Sequence, residues 1–464
     1  MELPSRRVTR RDFLRVAATA AAPTIVPASA LARGRPAAPS ERIAMGIVGL
    51  GSRGFNLIDA FLREEDAQIV AVCDVDSLHY RDRPWGQGAA HGREGAKKRI
   101  EARYGERSPD GRYGGLGLYA DYRELCGRED LDAVVIATPD HWHMLCALEA
   151  LARGKDVYCE KPLAHRFAEG QAICREAARR KAVFQVGSQQ RSDARFRQAV
   201  ELVLGGHLGK VRRVEVGLPP GYAEPQGDTT VEEPPAHLDY DFWCGPAPKL
   251  PYMQARHHRW WRGHLAFGGG VLMDWIGHHN DVAHWALGMD RSGPLTVEAV
   301  GWTFPETDVY NSPHHYEIRC EYPGGATGTI SDRNRGGTKW IGDDGWVFVT
   351  RGRLEASDPR WIKPDFDRGS IRVYQSPGHA RNFLDCVKSR DPCVAPPETA
   401  HRSITPGHLG YVANAVGRPL RWDADAERIV GDDEAEGLLK GVSYRSPWEF
   451  VPSQAGRIID RTVQ

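Results

Sequence analysis

Nine cysteines are scattered over 464 residues with no C-x-x-C pair and no Cys/His ligand spacing, so the chain encodes neither a zinc ribbon nor a disulfide framework. Several, such as Cys73 and Cys159, fall in apolar strand-like runs and read as buried free thiols. An excess of either charge is lacking too, since Lys plus Arg and Asp plus Glu both total 61. Without a basic field the chain has no broad means of holding nucleic acid, and a small neutral molecule is the expected partner. No run is long and apolar enough for a permanent membrane span.

What is present begins with an address. "TRRDFLR" (9–15) precedes "VAATAAAPTIVPASALA", too short and mild to stay in a membrane but suited to a removable signal. Arg10-Arg11 fits the twin-arginine route, and Ala28/Ala30 or Ala30/Ala32 fits an A-x-A cleavage site. The expected partner at this stage is the twin-arginine translocase, and the expected location is the periplasm or another exported compartment. Residues 1–32 are set aside as leader and 33–41 as a flexible arm or linker. The remaining length suits two domains, taken as 42–195 and 196–464.

"RIAMGIVGLGSRGFNLIDAFL" opens the first of these. The apolar run Ile43 to Val48 ends in Gly49-Leu50-Gly51-Ser52-Arg53-Gly54, and a helix-like pattern follows. Strand, glycine-rich turn and helix are the parts of a dinucleotide site. Gly49 makes the tight turn, Gly51 admits the pyrophosphate to the backbone, and Gly54 lets the helix pack close to the strand. The helix amino terminus, with Ser52 and Arg53, then faces the phosphates. A second apolar run, "AQIVAVCDVD", sets Asp74 at a strand end twenty residues after Gly54. A carboxylate there accepts hydrogen bonds from ribose hydroxyls and repels a 2′-phosphate, which favours NAD over NADP. From 78 to 117 the chain is rich in Gly, Arg and Tyr and shows little periodicity apart from one helix-like patch, "GAKKRIEARYG". It reads as an insertion loop, functional or merely solvated.

Regularity returns with "LDAVVIATPDHWHMLCALEALARGKDVYCEKPLA". One strand ends at Thr138-Pro139-Asp140-His141-Trp142-His143, a helix follows, and a second strand ends at Glu160-Lys161-Pro162. Such alternation implies parallel strands with crossover helices, whose ligands gather at the strands' carboxyl ends. Thr138, Pro139, His141, His143, Glu160 and Lys161 are therefore expected at the cofactor. "AVFQVGSQQRS" is read as the strand that closes this domain.

"GIVGLGSRG", "ATPDHWH" and "CEKPLA", in this order and spacing, resemble the Gfo/Idh/MocA oxidoreductase family. The resemblance implies an α/β fold: a Rossmann domain for the dinucleotide, then an α+β domain with a large, mainly antiparallel sheet that commonly forms subunit contacts, so a homo-oligomer. It also implies that Lys161 lies beside the nicotinamide and hydrogen-bonds the reacting hydroxyl.

In the second domain the recognisable segment is "FGGGVLMDWIGHHNDVAHWALG". Asp274, His278 and Asp281 recur at i, i+4 and i+7 and share one stripe of a helix, whereas His279 points elsewhere. Oxidation of a secondary alcohol needs a base for the hydroxyl proton, and histidine has the intrinsic range for it. The family's Asp-x-x-x-His pattern matches Asp274 to His278 and implies His278 as general acid/base, with Asp274 and Lys161 positioning the hydroxyl. A satisfied core histidine and a helix cap by Asp274 are the structural alternatives. His278, His279, Asp281 and His284 spread too widely around a helix to converge on a metal, and none is expected. "ARHHRWWRG" (255–263), with Trp261, suits a sugar-pocket lining or the core equally well. Gln189, Gln190 and Arg191 suit rim contacts to substrate, as does Asp281. His401 is a further candidate contact, and the carboxyl-terminal helices read as packing on the second domain.

An export address on an NAD protein restricts the reaction, because no pool of NAD outside the cytoplasm recharges the enzyme. The consistent solution is a tightly bound cofactor, loaded before export and restored within each cycle. Two reaction classes satisfy it: an oxidoreductase that passes hydride between two carbohydrate or polyol substrates, and a glycoside hydrolase or lyase working by transient oxidation and elimination. The second needs another acid or base for the leaving group, for which His143, Tyr222 and Asp281 are candidates. A non-catalytic carbohydrate-binding protein is disfavoured by the presence of Lys161, Asp274 and His278 together.

Overall fold

The structure is a computed structural model that describes residues 41–82, 87–108 and 110–449. The leader at 1–32 and the arm at 33–41, apart from Glu41, lie outside the described residues.

The first half builds a six-stranded parallel sheet. Strand β1 (Ile43–Val48) runs into helix α1 (Ser52–Phe61), and β2 (Ala67–Cys73) follows. The expected insertion loop is instead ordered structure: a hairpin of β3 (His79–Asp82) and β4 (Gln87–His91), helix α2 (Gly92–Gly105) and strand β5 (Gly117–Tyr119). Most of it is the crossover that returns the chain to the sheet beside β2. Its helix, which contains the helix-like patch "GAKKRIEARYG", buries only Gly92, Ala96, Ile100 and Gly105, a narrow stripe among charged residues. The short helix α3 (Tyr122–Cys126) leads to β6 (Ala133–Ile136), then α4 (His143–Ala152), β7 (Asp156–Cys159), α5 (Phe167–Arg180) and β8 (Phe184–Val186). The spatial order is β5-β2-β1-β6-β7-β8, so the chain reverses direction between β1 and β6. That switch point is where a doubly wound sheet opens a crevice.

Helix α6 (Ala194–Leu204) leads into the second sheet. It begins with β9 (Val211–Gly217) and, after helices α7 (Tyr240–Cys244) and α8 (Gly270–Leu287), continues through β10 (Thr296–Thr303), β11 (His315–Glu321), β12 (Thr327–Ser331), β13 (Gly337–Gly342), β14 (Trp346–Thr350) and β15 (Arg353–Ala356). After α9 (His379–Ser389) and α10 (Pro397–Val416), the edge strands β16 (Leu420–Asp423) and β17 (Arg428–Ile429) precede α11 (Asp433–Lys440). The nine strands lie in the order β15-β14-β13-β9-β12-β11-β10-β16-β17 and are antiparallel except where β9 meets β12. Helix α8 packs on this sheet, with the Thr338 hydroxyl donating to the carbonyl of His279 at 2.8 Å.

One carboxyl-terminal helix departs from expectation. Helix α9 packs on the first sheet: Phe383 stands edge-on to Phe61 and Tyr158, at 6.3 and 5.7 Å. Arg381 and Lys388 both reach Asp66, and Arg390 reaches Asp156. Among the described residues no helix is long and apolar enough to cross a membrane, and all nine cysteines are free.

Candidate active site

A cleft of about 640 Å³ runs along the carboxyl ends of the parallel strands and is roofed by α8 and the segment before it. Its floor is the turn after β1. Gly49 has φ +90°, and a Cβ there would stand 2.5 Å from the backbone of Ala137 and Thr138; one on Gly54 would stand 2.1 Å from the Gly49 carbonyl. Only glycine fits either place. Nothing lies within 4 Å of the Cβ position of Gly51, so the backbone there is open to an approaching group. Asp74, at the end of β2, accepts from the backbone N–H of Leu50 at 2.6 Å and of Asp76 at 2.9 Å. Buried Thr138 Oγ1 has no hydrogen-bond partner. Open glycine, carboxylate at the second strand end and an orphaned hydroxyl fit the pyrophosphate, ribose and nicotinamide ends of a dinucleotide.

The Asp74 end of this floor is closed by a histidine cluster that no sequence pattern announced. Asp76, fully buried, accepts from His237 Nδ1 at 2.8 Å and His258 Nε2 at 3.0 Å. His258 stacks on His79 with ring centroids 3.7 Å apart, and His79 stacks on His91. The β3–β4 hairpin and the 228–267 segment thus meet over Asp74.

At the other end stand the groups expected to react. Glu160 is gripped by Arg53 at 2.7 Å and by Gln189 at 3.0 Å. Lys161 Nζ donates to Asp274 Oδ1 at 2.6 Å and to the Asp274 carbonyl at 2.9 Å. Arg262 stands 3.0 Å from the same Oδ1. Burial pushes the Asp274 carboxyl up, but Arg262 and Lys161 together outweigh it and hold it well below the usual range. His278, one turn along α8, lines the cleft with Nδ1 unpartnered. Burial, then the charges of Lys161 and Arg351, keep its imidazole neutral far below the ordinary histidine range. Helix α8 is capped at Gly269, so Asp274 is not its cap.

Of the other predicted residues, Ser52, Pro139 and His143 line the cleft, and so does Trp261, which carries Arg262 over its ring at 4.1 Å while packing in a small aromatic core. The segment thus contributes both to the cleft wall and to a core. The ring of His143 sits between the carbonyls of Pro162 and Thr138, at 2.7 and 3.1 Å, and positions the turn rather than presenting a free nitrogen. Five expected contacts are corrected. His141 faces away from the cleft, toward the carbonyls of Phe267 and Trp243. Arg191 and Asp281 form a buried ion pair at 2.7 Å, with Asp290 as second partner, and Gln190 is buried beside them outside the cleft. A polar stripe on a helix can face an internal arginine as readily as a substrate. His401 is likewise buried away from the cleft, 2.9 Å from Glu427.

One residue in the quoted motifs was passed over. Asp140 lines the cleft and is only 1% exposed, and its Oδ2 has no partner. Burial raises its carboxyl to about 7, with Arg262 pulling the other way.

Residues 43–188 match the oxidoreductase family described by an NAD-binding Rossmann fold, and residues 197–450 match that family's C-terminal alpha/beta domain. The chain is 37% identical over 124 residues to glycosyl hydrolase family 109 protein 2 of Shewanella sp. (strain ANA-3), a match covering 27% of this chain and 24% of that protein. It thus spans about a quarter of that relative's length. Among solved structures, the WlbA dehydrogenase from Bordetella pertussis in complex with NADH and UDP-GlcNAcA superposes with a TM-score of 0.57 at 18% identity, over 82% of this chain and 99% of that one. The aldose-aldose oxidoreductase from Caulobacter crescentus complexed with glycerol gives 0.56 at 18%, over 82% and 99%. At such identities the shared property is the fold.

Proposed function

We infer, for a chain that belongs to the Gfo/Idh/MocA oxidoreductase family, NAD-dependent oxidation of a secondary hydroxyl on a sugar, glycoside or polyol, with the cofactor retained between turnovers. The observation that carries this is the Lys161–Asp274 contact beside a neutral His278, at the end of a cleft whose other end is a glycine cradle with a carboxylate.

The Gly49–Gly54 turn, Asp74 and the Thr138 turn would hold NAD, which would supply an acceptor for the carbinol hydride. The remaining work belongs to the chain. An ammonium has three donors, and Asp274 takes two of those on Lys161. The third is left for the substrate hydroxyl, where the positive charge favours the alkoxide. His278, neutral and with Nδ1 unpartnered, takes the hydroxyl proton in transit and does not retain it, since burial and the charges of Lys161 and Arg351 oppose a charged imidazole. Asp274, kept ionised, fixes the direction of the ammonium. Trp261 carries Arg262 over its ring and so holds that guanidinium beside Asp274 in the cleft wall.

A second reading, glycoside cleavage by transient oxidation and elimination, is supported by the glycosyl hydrolase relative, and it too returns NAD to its starting state. Export by the twin-arginine route is proposed on Arg10-Arg11 and the Ala-rich run that follows them. Retention would suit that route, which carries folded proteins.

The test is to denature the purified native protein without added nucleotide, identify what is released by mass spectrometry, and then mix intact protein with sugars and aryl glycosides while following nicotinamide absorbance. About one NAD(H) per chain and reduction by at least one alcohol are expected. An empty protein that binds NAD weakly and oxidises none of them would overturn the reading.

A further inference from the structure

The chain is neutral as a whole, but charge is unevenly placed in its cleft. Arg53, Lys161, Arg259, Arg262 and Arg351 all line it. Carboxylates answer only part of this. Glu160 pairs with Arg53, and Asp274 is shared by Lys161 and Arg262. Asp74 lies at the far end, beside the histidines. Asp140 is buried under Gly268, whose Cβ position lies 2.8 Å from Oδ2, so it is packed into the wall and away from any ligand. A positive excess remains at the reacting end.

Arg259 and Arg351 are the cations left over. Arg259, in the short helical segment His258–Gly263, stands over the ring of Trp260 at 4.5 Å. Arg351, in the turn between β14 and β15, stands over Trp275 at 5.0 Å. Both are exposed, and among the described residues neither forms an ion pair or a hydrogen bond. An indole beneath a guanidinium restrains it without occupying its N–H donors, so less freedom is lost when an oxyanion arrives. The same indoles tie both arginines to the reacting groups. Trp275 follows Asp274 on α8 and stands edge-on to His278 at 5.6 Å. Trp260 stands edge-on to Tyr222, another cleft residue, at 5.8 Å. Burial and the like charge of Arg53 push the Arg351 guanidinium below its ordinary range against the pull of Asp274. An oxyanion beside it relieves that cost.

We propose that Arg351, with Arg259 supporting it, binds an oxyanion of the substrate, so that the carbohydrate oxidised here is an acidic one with a carboxylate or phosphate on a carbon other than the reacting one. The proposal rests on the reading of a carbinol oxidised at bound NAD and adds the substrate's charge to it. A guanidinium fork meets a carboxylate or phosphate with two parallel hydrogen bonds, which fixes direction as well as affinity. An anion held there sets which way round the ring lies, and therefore which hydroxyl meets Lys161 and His278. The cofactor's own phosphates belong elsewhere, at the open backbone of Gly51 and the head of α1, whereas Arg351 stands against Trp275 of α8.

The experiment titrates the intact, NAD-loaded protein by calorimetry with glucuronate, galacturonate and glucose 6-phosphate against glucose and galactose, at low and at high salt. Nicotinamide reduction is followed in the same mixtures. At least one acidic sugar is expected to bind about 10- to 100-fold more tightly than its neutral parent. The margin should shrink at high salt, and the uronate and phosphate arms tell the two anions apart. Arg351→Gln should erase most of the margin and Arg259→Gln part of it, with bound NAD, measured by mass spectrometry after denaturation, unchanged. Neutral sugars that bind as tightly as every acidic one, or a margin that survives Arg351→Gln, overturn the proposal alone. An Arg351→Gln protein that loses its NAD also overturns it, because the anion at Arg351 is then the cofactor's pyrophosphate. A wild type that binds none of the sugars and reduces no nicotinamide overturns the underlying function and this proposal with it.

Discussion

Two ion pairs in this molecule look alike on paper and act differently. Lys161–Asp274 stands in the cleft with a donor to spare, whereas Arg191 is spent on Asp281 and Asp290 behind it. Lys161→Ala should leave folding and NAD content nearly intact while abolishing nicotinamide reduction, as checked by thermal unfolding and stopped-flow absorbance. Arg191→Leu should do the reverse. It strands a buried carboxylate at a cost of about 3–5 kcal/mol in denaturant unfolding, with activity per folded molecule retained. Asp140 makes a pH-dependent prediction. Its folded pKa of about 7 lies above the ordinary 3.8, so the native state holds a proton that the unfolded chain gives up. Stability at this site is therefore full below about pH 4 and is lost as pH rises toward about 7. Asp140→Asn removes that loss, and its stability advantage over wild type should grow by about 3 kcal/mol between about pH 5 and about pH 8 in urea titrations.

At the scale of elements, helix α8 shows what sequence can and cannot reveal. The pairing of Asp274 with His278 is local, four residues apart on one helix, and so is the glycine turn that fixes the backbone after β1. These were legible because neighbouring residues decide them. The fate of Asp281 is decided by Arg191, some 90 residues earlier, and that of Asp140 by Arg262 and Gly268, more than 120 residues later. No window of sequence contains either pairing. Helix α2 shows only as the patch "GAKKRIEARYG", and what surrounds it reads as loop, because its buried stripe is narrow. The histidine cluster around Asp76 is also assembled only in three dimensions. Asp76→Ala removes the acceptor for His237 and His258, at about 1–3 kcal/mol of local stability. The roof over Asp74 should loosen, and NAD should be lost faster on dilution, as followed by nicotinamide fluorescence.

At the scale of the whole molecule, two sheets share one cleft, and the chain is stitched across them by α9. The stitch centres on Asp66, whose carboxyl is raised by burial but brought to about 2 by Arg381 and Lys388. Because that value lies below the ordinary 3.8, the contribution is present near neutral pH and lost as pH falls from about 4 to about 2. Asp66→Asn should cost about 2 kcal/mol near neutral pH, and the cost should fade in acid unfolding curves.

That stitch bears on how the protein is made. The aromatic core beneath β1 and β7 receives Phe383, so the first sheet is completed by a residue that lies more than 200 positions after either of its ring partners. A nascent chain halted before α9 has its glycine turn and its first sheet but not the covering of Phe61 and Tyr158. The hydrophobic core on that face of the first sheet is therefore closed only once α9 has been made, long after the strands it covers.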